Sequence, residues 1–310
     1  MSRSHKSLIA TLHEIGVVHL VRAQNGIEPF KHFLESYRQN HGGVKHDLIV
    51  VMKGFDQKYN MDYHLELLAS FKHIIVEVPD IGYDIMVYFA IAKRYANQYQ
   101  YFCFLNSFSE ILDHNWLSKL YMYISQPNIG LVGATGSWES HGNIQTWLNA
   151  ITVGLSHYST HKDKVFWKRI IIGTVGIWNH CRTLMCFKLF PNYHIRSNAF
   201  MIPSELINSL KCPIMKTKMD AYKFESGKMG MTMQILKLKK NVFVVGKDGL
   251  GYEKKVWNKS KTFWQAEQEN LLVADNQTRN YQFGDLERRK YLSCCAWGTS
   301  CNNKSYGARE

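Results

Sequence analysis

The stretch Tyr101-Phe-Cys-Phe-Leu105-Asn106-Ser107-Phe108-Ser109-Glu110 joins an apolar, β-favouring run to an abrupt polar cluster. Similar apolar runs start near Val17, Leu48, Ile74 and Ile129, and helix-like stretches fill the gaps between them. Strands that alternate with helices predict an α/β fold with a mostly parallel central sheet, because parallel neighbours need crossover helices. Open sheets of this kind bind ligands at the carboxyl ends of their strands. The polar cluster at 106–110 is therefore where chemistry is expected.

Outward from that strand, Val17 to Val21 opens the sheet, and Pro29 suits the first turn of a helix running to about Gln39. A second strand covers Leu48 to Met52, a helix 62–71, and a third strand Ile74 to Val78. Apolar residues at 85, 88, 89 and 92 give Asp84 to Tyr95 a helical face, and Trp116 to Ile124 reads as a helix before the strand at Ile129. From Ser140 to Pro203 there are seven Lys/Arg against one acid, Asp163, with Trp147, Trp167 and Trp178. A helical basic insertion is expected over about 141–192, able to pack on the sheet or lie in a membrane interface. Asn198 to Ile202 reads as a strand, Lys228 to Lys239 as a helix and Val242 to Val245 as a last strand. One domain over 1–280 and a loosely ordered tail over 281–310 complete this reading.

The chain has 310 residues, 45% of them hydrophobic, enough for a substantial core. Its formal net charge of +13 favours nucleotide phosphates, other polyanions or an anionic membrane surface. Nucleic acid is not an expected partner. The seven cysteines form no paired CxxC set, which removes zinc-knuckle and redox-motif readings. Their odd number and the absence of a signal-like start predict a cytoplasmic chain, either free or peripheral at the inner face of a membrane. The apolar stretch Ile170 to Trp178 is far shorter than the ~20 residues of a membrane span.

Two glycine-bearing patterns compete. Ile129-Gly-Leu-Val-Gly133-Ala-Thr-Gly136 has the look of a dinucleotide-binding turn, but it follows the fifth strand and Glu139 stands at the third glycine position. The order of Val21-Arg22-Ala23-Gln24-Asn25-Gly26, Met52-Lys53-Gly54, Asp80-Ile-Gly82-Tyr-Asp84 and Asn106-Ser107-Phe108 instead resembles the GT-A glycosyltransferases, especially family 2, over roughly 15–250. Phe-Leu-Asn-Ser at 104–107, Val-Gly-Ala-Thr-Gly-Ser-Trp-Glu-Ser at 132–140 and Leu-Val-Ala-Asp-Asn-Gln-Thr-Arg at 272–279 are also similar to an uncharacterised bacterial branch of glycosyltransferase-like proteins.

That resemblance implies a nucleotide-sugar donor held by Val21, Arg22, Lys53, Asp80, Asp84, Asn106 and Ser107. It implies a wall for a glycan or lipid-linked acceptor around Trp138, Glu139, His194, Arg196 and Asn198. The family places a metal-binding Asp-x-Asp where this chain has Asn106-Ser107-Phe108, so Glu110 is the one nearby carboxylate for Mg or Mn. A divalent metal is disfavoured, with basic residues expected to meet the diphosphate. An inverting transferase needs a carboxylate base, and Glu225, ahead of the helix at 228–239, is the candidate, with Asp220 in reserve. Lys247, Asp248 and Arg279 could meet the diphosphate or be solvated. A nucleotidyltransferase, or a degenerate GT-A domain that docks on a membrane or a protein, are the alternatives.

Overall fold

The computed structural model describes residues 13–141 and 183–298. Most of the basic insertion, including Trp147, Trp167 and Trp178, and the chain from 299 lie outside the described residues. The first half runs β1 (His13–Arg22), α1 (Glu28–Gln39), β2 (Asp47–Lys53), α2 (Asp62–Leu68), β3 (His73–Val78), α3 (Asp84–Tyr95) and β4 (Tyr99–Leu105). It continues through β5 (Glu110–Ile111), α4 (Trp116–Ile124), β6 (Ile129–Gly133) and β7 (Gly136–Ser137). After the gap come β8 (His194–Ile195), β9 (Ala199–Pro203), α5 (Ser204–Ile207), α6 (Lys218–Ser226), α7 (Met231–Lys237), β10 (Asn241–Val245) and β11 (Gly251–Glu253). The last described elements are β12 (Val273–Ala274), α8 (Asn276–Gln282) and α9 (Leu286–Trp297).

Eight strands form the main sheet in the order β11-β10-β6-β9-β4-β1-β2-β3. Strands β3, β2, β1 and β4 are mutually parallel, β9 runs antiparallel between β4 and β6, and β11 is antiparallel to β10. The protein is thus α/β with a mostly parallel sheet, as its strand–helix alternation predicts. The period-2 geometry of a strand explains the core. Val18 and Leu20 of β1, Ile49 and Val51 of β2, and Phe102 and Phe104 of β4 pack on one face with α3 and α7. Ile15, Val17, Val21, Leu48, Val50, Met52, Cys103 and Leu105 pack on the other with α1 and α4.

Two expectations are corrected. The chain from 281 is not loose up to residue 298: α9 buries Leu292, Ala296 and Trp297, and Trp297 Nε1 donates to the Phe263 carbonyl at 2.8 Å. Glu225 does lie ahead of a helix, α7, but that helix starts at Met231 rather than Lys228, and Glu225 is itself helical, in the last turn of α6. Thr217 and Asp220 form a reciprocal capping box that starts α6 at Lys218. Gly227 then lets the chain turn away, since a Cβ there would come within 2.3 Å of the Lys223 carbonyl oxygen.

The order places β2 and β3 on one side of β1 and β4 on the other, so the chain reverses its direction of addition between β1 and β4. Such a switch point opens a crevice at the carboxyl ends of the strands. Because β9 runs backwards, its amino end lies at that same edge, with Ala199 opposite Leu105. Among the described residues no helix is long and apolar enough to cross a membrane.

Candidate active site

Arg22 and Lys53 pair in register at the ends of β1 and β2, and Lys53 pairs with Val78 at the end of β3. Asp80, just beyond β3, is the hub of this part of the edge. Arg22 donates to it from Nε at 3.3 Å and Nη2 at 3.2 Å, and Gln24 Nε2 donates at 2.8 Å. Lys53 Nζ lies 3.4 Å from Asp80 and 4.0 Å from Asp84, and donates to the Gly82 carbonyl at 2.6 Å. Gly54 makes room for the hub: its φ is +76°, and a Cβ there would sit 2.8 Å from that of Asp80. Partial burial opposes ionisation of Asp80, but the Arg22 hydrogen bond and the charges of Arg22 and Lys53 outweigh it and hold the carboxyl below its usual range. The Lys53 side chain is 1% exposed and spends its charge inside the protein, while Val21 is a core residue. Arg22, Gln24, Asp80 and Asp84 are the parts of this cluster that reach solvent.

The β4 end is built from a tight turn. Asn106 Oδ1 accepts from Phe108 N at 3.0 Å and Ser109 Oγ at 3.2 Å, and Asn106 N donates to the Asn198 carbonyl at 3.0 Å. Glu110 accepts from Arg279 Nη2 at 2.7 Å, and Arg279 Nη1 donates to the Phe108 carbonyl at 3.1 Å. Asp275 caps α8 by accepting from Thr278 N at 2.8 Å, and its second oxygen accepts from Arg196 Nη2 at 3.2 Å. Asp275 and Arg279 are four residues apart, so one side of α8 holds both arginines. The Arg196 guanidinium also lies 4.1 Å over the Phe263 ring. Asn198 Oδ1 accepts from Thr135 Oγ1 at 2.6 Å. Three atoms here are buried without any hydrogen-bond partner: Ser107 Oγ, Arg196 Nη1 and Asn198 Nδ2.

Glu225 reaches this edge from α6, and its Oε1 accepts from Ser197 N at 2.6 Å. His194 is buried nearby, with Nδ1 2.8 Å from the Asn192 carbonyl. A carbonyl can only accept, so the neutral ring carries its proton on Nδ1. Burial lowers the His194 pKa, and the negative charges of Glu225 and Glu139 oppose that shift. Trp138 is engaged by the protein: Nε1 donates to the Lys254 carbonyl at 2.9 Å, and Phe190, Tyr193 and Trp297 meet its ring at steep angles. Glu139 is half-buried and anchored through its backbone to Ser137 Oγ at 3.0 Å. Asp220 faces its own capping box and an ion pair with Lys223 at 3.7 Å. Asp248 closes a turn with Leu250 N and Tyr252 Oη.

Gln24, Thr135 and Asp275 went unread as site residues in the sequence. Asp275-x-x-Thr278 is a legible helix-start signal; nothing local marks the other two. The GT-A resemblance implies a divalent cation at the end of β4, and the residues present do not fit one. Asn106 Oδ1 is held in its turn and Glu110 is paired with Arg279. No group of three or more His, Cys, Asp or Glu able to hold a metal occurs among the described residues, whereas hard cations want several carboxylate oxygens. A cavity of about 490 Å³ lies at the opposite edge, lined by Tyr99, Gln100, Pro203, Glu205 and Lys240 among others, away from these groups.

No protein-family model and no curated protein matches the chain. Solved structures are similar in fold. A mannosyltransferase from Pyrobaculum calidifontis in complex with GDP-Man and Mn2+ matches at 9% identity and TM-score 0.44, over 82% of this chain and 61% of that one. Core-mannan synthase A from Aspergillus fumigatus in its Mn/GDP form matches at 11% identity and TM-score 0.35, over 72% and 65%. 4-Diphosphocytidyl-2C-methyl-D-erythritol synthase from Anaerococcus prevotii matches at 12% identity and TM-score 0.40, over 75% and 88%. The chain spans less than two thirds of the length of the first two.

Proposed function

We propose that the chain is a glycosyltransferase that moves a sugar from a nucleotide-sugar donor to a hydroxyl acceptor at the carboxyl edge of the sheet. The observation that carries this reading is the convergence of Arg22, Asp80, Ser107, Arg196, Asn198 and Glu225 on the edge flanking the β1–β4 switch point, where α/β sheets take their ligands. Arg22, Asp80 and Asp84 would contact the nucleoside, and the β4 turn the diphosphate. Glu139 and His194 would face the acceptor.

Glu225 is the general base in this reading. Ser197 N–H holds its Oε1, and Oε2 would take the acceptor hydroxyl proton as that oxygen attacks the anomeric carbon. The bond from that carbon to the diphosphate breaks, and its electron pair leaves on the nucleoside diphosphate. Attack opposite the leaving group inverts the anomeric centre. A glycan or lipid-linked acceptor, synthesis of cell-surface polysaccharide and a cytoplasmic or inner-membrane-face location belong to the same proposal. A nucleotidyltransferase would need a glycine-rich basic loop after β1; the chain has one 3-10 turn there, Ala23–Asn25.

Thermal shifts with a panel of nucleotides, followed by assay of sugar-nucleotide turnover with mixed glycan acceptors, test the reading. Stabilisation by one nucleoside diphosphate together with release of that nucleotide from its sugar ester supports it. If no nucleotide shifts the transition and none is turned over, the domain is a non-catalytic one.

A further inference from the structure

The unmatched atoms at the β4–β9 edge share a chemical property. Arg196 Nη1 and Asn198 Nδ2 can only donate, and Ser107 Oγ can donate. All three are already shielded from water and lack partners, so the folded chain carries their desolvation cost without a return. Any group that completes them must supply acceptor oxygens. Arg196 and Asn198 flank Ser197 in the turn between β8 and β9, and both are tied to Thr135: Arg196 N donates to its carbonyl at 3.2 Å and Asn198 Oδ1 accepts from its hydroxyl.

Their surroundings hold them in place. Asp275 fixes one end of the Arg196 guanidinium and Phe263 lies under its plane. Thr135 donates to Asn198 Oδ1 at 2.6 Å, which sets the amide's orientation and turns Nδ2 away from that contact. The turn that carries Ser107 is tied to the same strand by the Asn106 N to Asn198 carbonyl bond. Arg279 flanks the turn from α8, bonded to Glu110 and the Phe108 carbonyl. A cationic group thus stands where the GT-A resemblance would put a metal, beside residues that do not fit one.

We propose that Arg196, Asn198 and Ser107, flanked by Arg279, form a cradle that binds a diphosphate without a divalent cation. The proposal rests on the transferase reading for its physiological ligand, a nucleoside diphosphate. The donors are charge-assisted at both arginines, which makes them about twice as strong as neutral ones. They would also stabilise the charge that grows on the leaving diphosphate during transfer. Oxygens reach the shielded atoms through local side-chain movement, and their arrival offsets the cost the free protein bears.

The test is calorimetric titration of the full chain with inorganic pyrophosphate and with nucleoside diphosphates, in excess chelator and again with Mg or Mn. Binding in chelator that metal does not strengthen is expected. Asn198→Asp keeps the acceptor for Thr135 but replaces the unmatched donor by an anion, which the Arg196 guanidinium two residues away attracts and a diphosphate repels. That variant should fold at least as stably as the wild type and bind pyrophosphate about tenfold or more weakly. Arg279→Gln, at a half-exposed position, should weaken it by a similar factor. Binding that requires metal, binding that survives both variants, or no pyrophosphate binding at all would each overturn the cradle. Metal-dependent sugar transfer would sink the cradle and leave the transferase standing. Metal-free pyrophosphate binding without turnover of any sugar nucleotide would do the reverse.

Discussion

At the β1–β3 end of the carboxyl edge Arg22, Gln24, Lys53 and Asp80 are matched to one another or to backbone, whereas at the β4–β9 end Ser107, Arg196 and Asn198 each keep a buried atom unmatched. The first cluster is complete without a ligand, so its polar groups act as scaffold and present only their outer surfaces. The second is incomplete, and an incoming acceptor oxygen changes its energy the most, because an unmet buried donor costs roughly 1–3 kcal/mol. Chemistry is therefore sought beside the second cluster, where Glu225 is also held.

The strongest challenge to that contrast is Glu225→Gln. It preserves shape and an acceptor for Ser197 N–H but removes proton acceptance, so turnover should fall by roughly 10²- to 10⁴-fold while nucleotide affinity holds. Steady-state rates alongside nucleotide titration check it. Turnover at the wild-type rate would remove the base from α6 and the inverting mechanism with it.

A second probe concerns the scaffold half. His19 on β1 is fully buried, its ring stacked 3.5 Å from that of Phe33, and neither nitrogen has a partner. Burial lowers its pKa from 6.5 to about 3. The folded state therefore excludes a proton that the unfolded chain takes up below pH 6.5. Stability is unaffected by this group above pH 6.5 and falls as pH drops from 6.5 towards 3, by about 1.4 kcal/mol per pH unit. His19→Phe should show a shallower acid slope, read as the difference between the two chains' urea midpoints from pH 7 to pH 4. Equal slopes would mean that the ring is hydrated.

Lys53→Met sharpens the contrast further. The ammonium now satisfies the Gly82 carbonyl and steadies Asp80, so its loss should cost about 1–3 kcal/mol, whereas Asn198→Asp should cost nothing. Chemical denaturation of both variants measures this. A destabilisation confined to the Asn198 variant would reverse the assignment of scaffold and binding halves.

How far the sequence reveals this follows from the range of the interactions. Val17, Leu48, Tyr101 and Ile129 mark strands because burial on both faces leaves apolar runs, a local signal, and Ile74 opens a shorter run on the half-buried edge strand β3. The carboxyl-edge position of Asp80 and Ser107 follows from strand direction alone. The antiparallel place of β9 does not, since it depends on a partner one hundred residues away, Phe102 with Ile202. Lys53 read as a ligand contact because its sequence neighbourhood does not show that Asp80, Asp84 and Gly82 enclose it. Arg279 left its role open for the same reason: its partner Glu110 is 169 residues distant.

The smallest expected effect separates the two acids of α6. Asp220 sits at the start of the helix, where it accepts from Thr217 N at 3.0 Å and Thr217 Oγ1 at 2.8 Å. Those hydrogen bonds and the nearby Lys223 lower its pKa, which suits a cap and makes it a weaker base. Asp220→Asn should leave turnover at the wild-type value. Thr217→Ala, which removes the reciprocal cap, should lower stability by about 1 kcal/mol with turnover unchanged. Measured together with Glu225→Gln, these variants locate the proton acceptor along a single helix. A collapse of turnover in Asp220→Asn alone would move the base from the last turn of α6 to its first, and the acceptor wall with it.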